Sequence, residues 1–553
     1  MIVVGGGPTG LAMAIELDRH GVGSLLVERH ETTRQHPRAS VVNARSTELC
    51  RCWGIADEVM AEAMVPSPSL GVTWTTRLAD REIGRLVVIE DLEKAMVEFA
   101  ASPVLPAICP QDRFEPILRS RAERAALADV RFGVELVDFR DAGDRVEATI
   151  RDRAGGNEQV VCADWLVAAD GSHSSVRSAL GVGMHGSEAV TDQVNIYFHA
   201  DLTPYLAGRP SLLVYVVNSD LAAFFIALDG THRWLLNVPQ RLVPDFDPAR
   251  CADLVRLAVG DAELAVEIRS VDAWTVTAQV ADAYRRGRVL LAGDAAHRFP
   301  HTGGFGMNTG LQDAHNLAWK LAAVVNGTAA ELLLDSYETE RLPVAETNSE
   351  QSLSNALKLA DTGIPFAQRS IDISAVEEDS PAGDSVRAQI AAAIPAQRAH
   401  FSFRGQELGF CYAGSSAVVS DGTSPPPFDP ATYVPTATPG CRAPHMWIER
   451  DQEQLSTLDL WNGRWALIGG PRSDGWQKAA ASADIPTVMW GHDVIGDVSQ
   501  FLELYGLADD GAVLVRPDGH VAWRSAAAAE NPEHQLAMVL AAVLHTTTTK
   551  ELT

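Results

Sequence analysis

The first 28 residues constrain this chain more than any other stretch. Met1–Val4 is a short apolar run of β type that breaks into Gly5-Gly6-Gly7-Pro8-Thr9-Gly10. Leu11–His20 then repeats apolar residues at helical spacing, Gly21-Val22-Gly23 stops it, and Ser24–Glu28 is a second apolar run ending in an acid. Strand, glycine turn, helix, strand, acid is the order of a βαβ unit that holds a dinucleotide. Gly5 suits the tight turn, Gly7 lets the backbone approach a pyrophosphate, and Gly10 lets helix and strand pack closely. Pro8 and Thr9 open the helix, whose unpaired N–H groups face the phosphates. Glu28 lies 18 residues beyond Gly10, at a strand end where it can accept from a ribose diol, with Arg29 beside it.

A second match, Gly181-Val182-Gly183-Met184-His185-Gly186, follows a helix-like stretch (Ser174–Leu180) and leads to no acid-ended unit. It reads as a flexible turn, so one dinucleotide domain is expected.

At 553 residues the chain is long enough for roughly three or four units. Its net charge of −27 speaks against nucleic acid or an anionic membrane as partner, since both would repel it. The seven cysteines are scattered, with no CxxC and no Cys/His cluster at zinc spacing, so no metal site is expected. That usage fits a reducing cytoplasm, with most cysteines acting as small packing residues. The apolar start ends after four positions, and no later stretch reaches about 18 apolar residues, so a soluble, cytoplasmic protein is expected.

Two further motifs narrow the dinucleotide. Trp165–Ala169 is an apolar strand ending in Asp170-Gly171, followed by Ser172-His173-Ser174-Ser175-Val176-Arg177. Far downstream, Arg288–Ala292 is another, ending in Gly293-Asp294 and running through Pro300-His301-Thr302-Gly303-Gly304-Phe305-Gly306-Met307-Asn308 into a strongly helical segment to Val325. A carboxylate at a strand end, ahead of a glycine loop and a helix, suits polyol binding beside a cofactor.

Together the three segments resemble the fingerprints of the para-hydroxybenzoate hydroxylase-like FAD-dependent aromatic monooxygenases: the glycine-rich, DG and GD motifs. The resemblance implies that Gly5, Gly7, Gly10 and Glu28 hold the ADP half of FAD, and that Asp294 binds the ribitol with Gly293 beside it. Asp170 and Gly171 belong to the segment associated with the FAD pyrophosphate and with the nicotinamide donor, NADPH or NADH. His36-Pro37-Arg38-Ala39-Ser40 with Arg45, and Gln111–Glu115 with Arg119, resemble further cofactor-contacting segments, with Arg38, Arg45, Gln111 and Arg119 as the contacts. Pro300, Gly304, Gly306, Met307 and Asn308 form the loop and helix start beneath the flavin ring. There the N–H donors and positive dipole end suit the charge that a reduced flavin carries near N1 and the C2 carbonyl.

The halogenase string Trp-x-Trp-x-Ile-Pro is missing, the nearest being Trp234-Leu235-Leu236-Asn237-Val238-Pro239, and so is the type I Baeyer–Villiger signature. The resemblance therefore implies hydroxylation of an electron-rich aromatic (a phenol, hydroxypyridine or polyketide aromatic) with NAD(P)H and O2 through a flavin C4a-hydroperoxide. Baeyer–Villiger or epoxidising oxygenation is the alternative on the same scaffold, and a flavin-binding regulator without turnover a third reading. Residues 185–280 alternate apolar and polar positions and read as an antiparallel sheet roofing the flavin. Tyr215, Phe224, Trp234 and Asn237 are its candidates for the substrate pocket, with an ordinary core role as the alternative; Tyr215, Pro300 and His301 are the candidate catalytic residues. His301 stands where the family commonly has the second proline of a Pro-Pro pair. A neutral imidazole there suits a phenolic proton, and a hydrogen-bonded loop histidine is the other reading.

The fold class expected is α/β: a Rossmann-type FAD-binding domain, a β-sheet substrate domain and a C-terminal thioredoxin-like α/β domain. The FAD domain takes residues 1–184 and 281–360, with 75–110 partly in the substrate region, and the substrate sheet takes 185–280. A proline-, serine- and glycine-rich linker, 361–438, wraps the first domain. Residues 439–553 resemble the thioredoxin-like C-terminal domain of the phenol hydroxylase and polyketide-aromatic hydroxylase branch, through Ser456–Leu460 and Arg516–Arg524. With only Cys441 and no CxxC this unit is expected to be redox-inert, its role being contacts in a homo-oligomer.

Overall fold

The computed structural model describes residues 1–546 apart from 66–69, 90–91, 207 and 366–370; the last seven positions of the C-terminal unit, 547–553, lie outside the described residues. Its first sheet has six strands in the order Arg285–Arg286, Val289–Leu291, Leu166–Ala168, Ile2–Val4, Ser24–Glu28, Ala128–Phe132. All neighbours are parallel except the Arg285–Arg286 edge. Helices cover the strands, which is why Ile2–Val4, Leu166–Ala168 and Val289–Leu291 are wholly buried and read as unbroken apolar runs. The order matters for function. Ile2–Val4, Leu166–Ala168 and Val289–Leu291 are adjacent, so the glycine turn, the DG segment and the GD turn leave the same sheet edge side by side.

The second sheet has eight strands: His297–Arg298, Glu267–Ala281, Met184–His199, Arg233–Pro239, Ala222–Ala227, Ser211–Val217, Gly71–Thr75, Glu82–Val87. It is antiparallel except where Ser211–Val217 meets Gly71–Thr75. The substrate sheet is therefore wider than 185–280, and its outer strands begin at Gly71, before position 75. The rejected glycine pattern has become the start of the Met184–His199 strand rather than a flexible turn alone. One face of this sheet packs Val194, Ile196, Phe198, Trp234 and Leu236 on the Pro248–Val259 helix. The other face turns Tyr215 and Phe224 toward the first domain.

Residues 361–438 are more than a linker. The Pro381–Ala393 helix and the turns around it bury Ile373, Val376, Ile390 and Ile394 against Trp74, Leu86, Val217 and Phe224 of the sheet. The prolines, glycines and serines punctuate this strap, and its isoleucines and valines hold it down. It contains Cys411, which is bonded to Cys441 with Cα atoms 4.2 Å apart. This departs from the expectation of unpaired packing cysteines in a reducing setting, Cys441 included; two residues 30 positions apart carry no local signal of pairing.

The C-terminal unit is a four-stranded sheet ordered Thr487–Met489, Ala466–Gly469, Ala512–Val515, Val521–Ser525, with one parallel and two antiparallel pairings. Trp476, Ala480, Leu536 and Val539 cover one face, and Phe501 and Tyr505 pack with Trp490 on the other. No helix among the described residues is long and apolar enough to cross a membrane.

Candidate active site

The glycine turn is fixed by contacts that leave no room for side chains. A Cβ on Gly5, whose φ is +109°, would stand 2.2 Å from the Ala169 carbonyl oxygen, and one on Gly10 would stand 1.9 Å from the Gly5 oxygen. At Gly7 nothing lies within 4 Å, because that position faces open space at the start of the Pro8–Arg19 helix. No side chain caps this helix, so its first N–H groups remain available to an anion. Glu28 closes the turn: Oε2 accepts the Gly6 N–H at 2.7 Å and Oε1 the His30 N–H at 2.8 Å.

The DG and GD segments are tied to each other and to the first helix. Asp170 Oδ2 accepts the Val176 N–H (3.2 Å) and the Ser175 hydroxyl (3.3 Å), while Oδ1 is buried with no hydrogen-bond partner. Arg177 points inward, donating to the carbonyls of Ala295 (2.8 Å) and Ser172 (3.2 Å). Gly293 rests on Thr9, whose Oγ1 would lie 2.4 Å from an added Cβ. Asp294, next in the chain, is exposed into the cavity. The Phe305–Val325 helix starts at Gly304 without a side-chain cap, so a second set of free N–H donors points the same way.

These groups line one end of a continuous cavity of about 1590 Å³ that runs to the aromatic face of the eight-stranded sheet. A single small-molecule pocket takes about 300–1,000 Å³, so the space suits two ligands side by side. His301 stacks on Phe224 (centroids 5.2 Å apart, planes 19° from parallel) and meets Trp274 edge-on at 5.1 Å. Burial pulls its pKa down to about 4, which keeps the imidazole neutral near pH 7. Tyr215 stacks on Trp74 at 5.0 Å, and burial holds its phenol well above the usual range.

The uncapped helix N-termini, the half-satisfied Asp170, the exposed Asp294 and the open positions at Gly7 and Gly306 fit FAD, with the pyrophosphate at the helix start and the polyol along the carboxylates. Gly5, Gly7, Pro8, Thr9, Glu28, Arg29, Arg38, Gln111, Asp170, Gly171, Asp294, Pro300, His301, Gly304, Gly306, Met307, Tyr215 and Phe224 all line the cavity. Gly10 and Gly293 act one layer back, by allowing close approach.

Five expected contacts do not line the cavity. Arg45 is buried against the C-terminal unit, donating to Glu48 at 2.9 Å and to the Asp518 carbonyl at 2.7 Å. Arg119 pairs with Glu123 and stacks 3.8 Å over Phe132, so it backs a wall residue. The Asn308 amide accepts the Asn43 N–H and donates to the Val41 and Gly304 carbonyls, which uses both its ends on the protein. Trp234 faces the opposite side of the sheet, its indole N–H on the Thr231 carbonyl, because alternate residues of a strand face opposite ways. Asn237 is on the cavity side, donating at 2.7 Å to Asn195, which lines the cavity in its place.

The sequence reading missed Trp274 and Thr275 and the strap residues His400, Phe401 and Phe403, which complete the walls. Trp274 carries the same alternation signal as the neighbouring strands. Nothing local marks the strap residues.

The aromatic end, the dinucleotide end and the added domain each have counterparts among known proteins. The family described as FAD binding domain matches residues 1–352, and the one described as aromatic-ring hydroxylase, C-terminal, matches residues 436–546. The tetracenomycin B2 monooxygenase-dioxygenase of Streptomyces olivaceus is 36% identical, with 98% of both chains covered. The 4-methyl-5-nitrocatechol 5-monooxygenase of a Burkholderia species is 37% identical over 98% of this chain and 97% of its own. Among solved structures, the flavin-dependent monooxygenase PieE in complex with FAD and substrate superposes with a TM-score of 0.90 at 33% identity, covering 99% of each chain.

Proposed function

This chain belongs to the FAD-binding aromatic-ring hydroxylases, and we propose that it hydroxylates a phenolic ring seated between His301, Phe224 and Trp274. The enzyme is an FAD-dependent aromatic monooxygenase; FAD, reduced by NAD(P)H, supplies the oxygen-activating chemistry. The observation that carries the residue-level reading is the single cavity joining three strand-end motifs to an aromatic wall.

In this reading Gly7 and the start of the Pro8–Arg19 helix hold the pyrophosphate, Glu28 the adenosine ribose, and Asp294 the ribitol. The Gly306 and Met307 N–H groups receive the charge of the reduced ring. Phe224, Trp274 and Tyr215 orient the aromatic substrate and exclude water. His301, held neutral by burial, accepts a hydrogen bond from the substrate hydroxyl and draws electron density into the ring. With a pKa near 4 it polarises that proton rather than storing it. The cavity admits a fused-ring phenol as well as a single ring, and the need for NAD(P)H agrees with a cytoplasmic setting.

The test is turnover of the FAD-loaded protein with NAD(P)H and labelled O2 across single-ring and fused-ring phenols. One labelled oxygen on a ring carbon per NAD(P)H is the expected result. Consumption of NAD(P)H to hydrogen peroxide alone, with every ring, would overturn the substrate reading. A ring-expanded lactone would favour the Baeyer–Villiger alternative.

A further inference from the structure

We infer that the C-terminal domain positions the cofactor-binding Gly293–Asp294 turn through a buried relay of Tyr412, Arg341 and Asp313. The inference rests on the reading of Asp294 as the ribitol ligand.

Asp313, fully buried in the Phe305–Val325 helix, lies directly behind the turn. Its Oδ2 accepts the Gly293 N–H at 3.1 Å and His297 Nε2–H at 2.8 Å, and its Oδ1 accepts from Arg341 Nε at 2.8 Å. Arg341, also fully buried, donates on to the Tyr412 hydroxyl (3.1 Å) and to the Thr309 carbonyl (3.2 Å) in the helix that starts under the flavin site. Its Nε and Nη2 therefore serve the cofactor end of the molecule, while Nη1 reaches Tyr412.

Tyr412 is held from the other side. Its N–H donates to the Gly440 carbonyl at 2.8 Å, its ring lies 4.3 Å from that of His520, and the Arg516 guanidinium stands 5.3 Å above it. Arg516 makes a two-point contact with Glu340 (2.7 and 2.9 Å), the residue before Arg341, and Glu340 also takes Lys320 Nζ at 2.7 Å and the Ser415 hydroxyl at 2.6 Å. Asp518 completes the group by accepting from Arg516, Asn316 and Trp319. Arg341, Lys320 and Arg516 balance Asp313, Glu340 and Asp518, and each of the six is buried. A dry ionic network of this kind is intolerant of displacement, because a shifted partner leaves an uncompensated charge. It hands the placement of the 516–520 turn on to Tyr412, Arg341, Asp313 and the Gly293 amide, which makes Arg341 and Tyr412 positioning residues for the FAD site.

The experiment compares Tyr412→Phe, Arg51→Gln and Asp294→Ala in the full-length holoenzyme, reading FAD dissociation constant, flavin absorption spectrum and unfolding temperature. Tyr412→Phe keeps the ring and removes only the acceptor of Arg341. It is expected to raise the FAD dissociation constant about five-fold and shift the flavin bands. Arg51 pairs with Asp459 across the same boundary, at 2.8 Å and outside the relay. Arg51→Gln is expected to lower the unfolding temperature while leaving FAD affinity within about two-fold. Unchanged affinity in Tyr412→Phe, or equal weakening in Arg51→Gln, would overturn the relay. Full affinity in Asp294→Ala would instead remove the ribitol reading beneath it.

Discussion

His301 lies stacked on Phe224, ring centroids 5.2 Å apart, in the aromatic wall of the cavity. Burial lowers its pKa to about 4 from an ordinary 6.5. Between those values the unfolded chain binds a proton at this position that the native state refuses. Its contribution to stability is thus full above about pH 6.5 and declines as pH falls toward 4, by on the order of 3 kcal/mol. His301→Asn should lose less stability between pH 6.5 and 4 than the parent, measured by unfolding temperature across that range. Equal slopes would show that the ring is not the source. On activity, His301→Ala should lower ring hydroxylation about 10- to 100-fold and leave flavin reduction by NAD(P)H nearly unchanged.

Asp294 and Asp170 face the same cavity but differ in what already occupies them. Asp170 is half-satisfied by Val176 and Ser175, whereas Asp294 is exposed into the space. Asp294→Ala should therefore weaken FAD binding by about 10- to 100-fold, the equivalent of a hydrogen bond from a charged group, with little change in fold. Fluorescence titration of apoprotein with FAD reads this directly, and a flavin-saturated mutant after purification would count against the ribitol role.

Gly7 and Gly10 make a sharper pair, because one sequence motif gives two opposite expectations. An added methyl at Gly10 would collide with the Gly5 carbonyl at 1.9 Å, while one at Gly7 meets nothing of the protein. Gly10→Ala should impair folding itself, lowering the unfolding temperature of the apoprotein by several degrees. Gly7→Ala should leave the apoprotein's unfolding temperature intact and lower FAD affinity, since the methyl enters the open space proposed for the pyrophosphate. Calorimetry with and without FAD separates the two.

What the sequence made legible follows from range. The glycine turn, Asp170 and Asp294 were readable because each motif carries its own strand, turn and helix signal within about 20 residues. The parallel sheet then places all three at one edge without further information. Arg45 and Arg119 were carried over from a resemblance. Which way each side chain turns depends on the C-terminal unit and on Phe132, neither of which is local. The strap was read as a linker because composition reports turns, and says nothing of the four aliphatic residues that lock it to Trp74 and Phe224. The Cys411–Cys441 bond and the Arg516–Glu340 pair join segments 30 and 176 residues apart and have no local trace.

Tyr215 and Trp234 looked equivalent as aromatics of one sheet, and pleating separates them. Tyr215 is on the cavity face with no hydrogen bond to its hydroxyl among the described residues, while Trp234 is buried on the far face against the Pro248–Val259 helix. Trp234→Ala should therefore cost about 3–5 kcal/mol through the void it leaves, and alter turnover only as far as the fold loosens. Tyr215→Phe should leave the unfolding temperature within a degree or two, since the ring and its stack on Trp74 remain. It should instead raise KM for a phenolic substrate a few-fold or redistribute the hydroxylation position, because Tyr215 lines the cavity proposed to seat that ring. Product analysis by mass and regiochemistry, alongside thermal unfolding, separates the two residues. A Trp234 variant that keeps its stability but changes product position would reverse the assignment of faces.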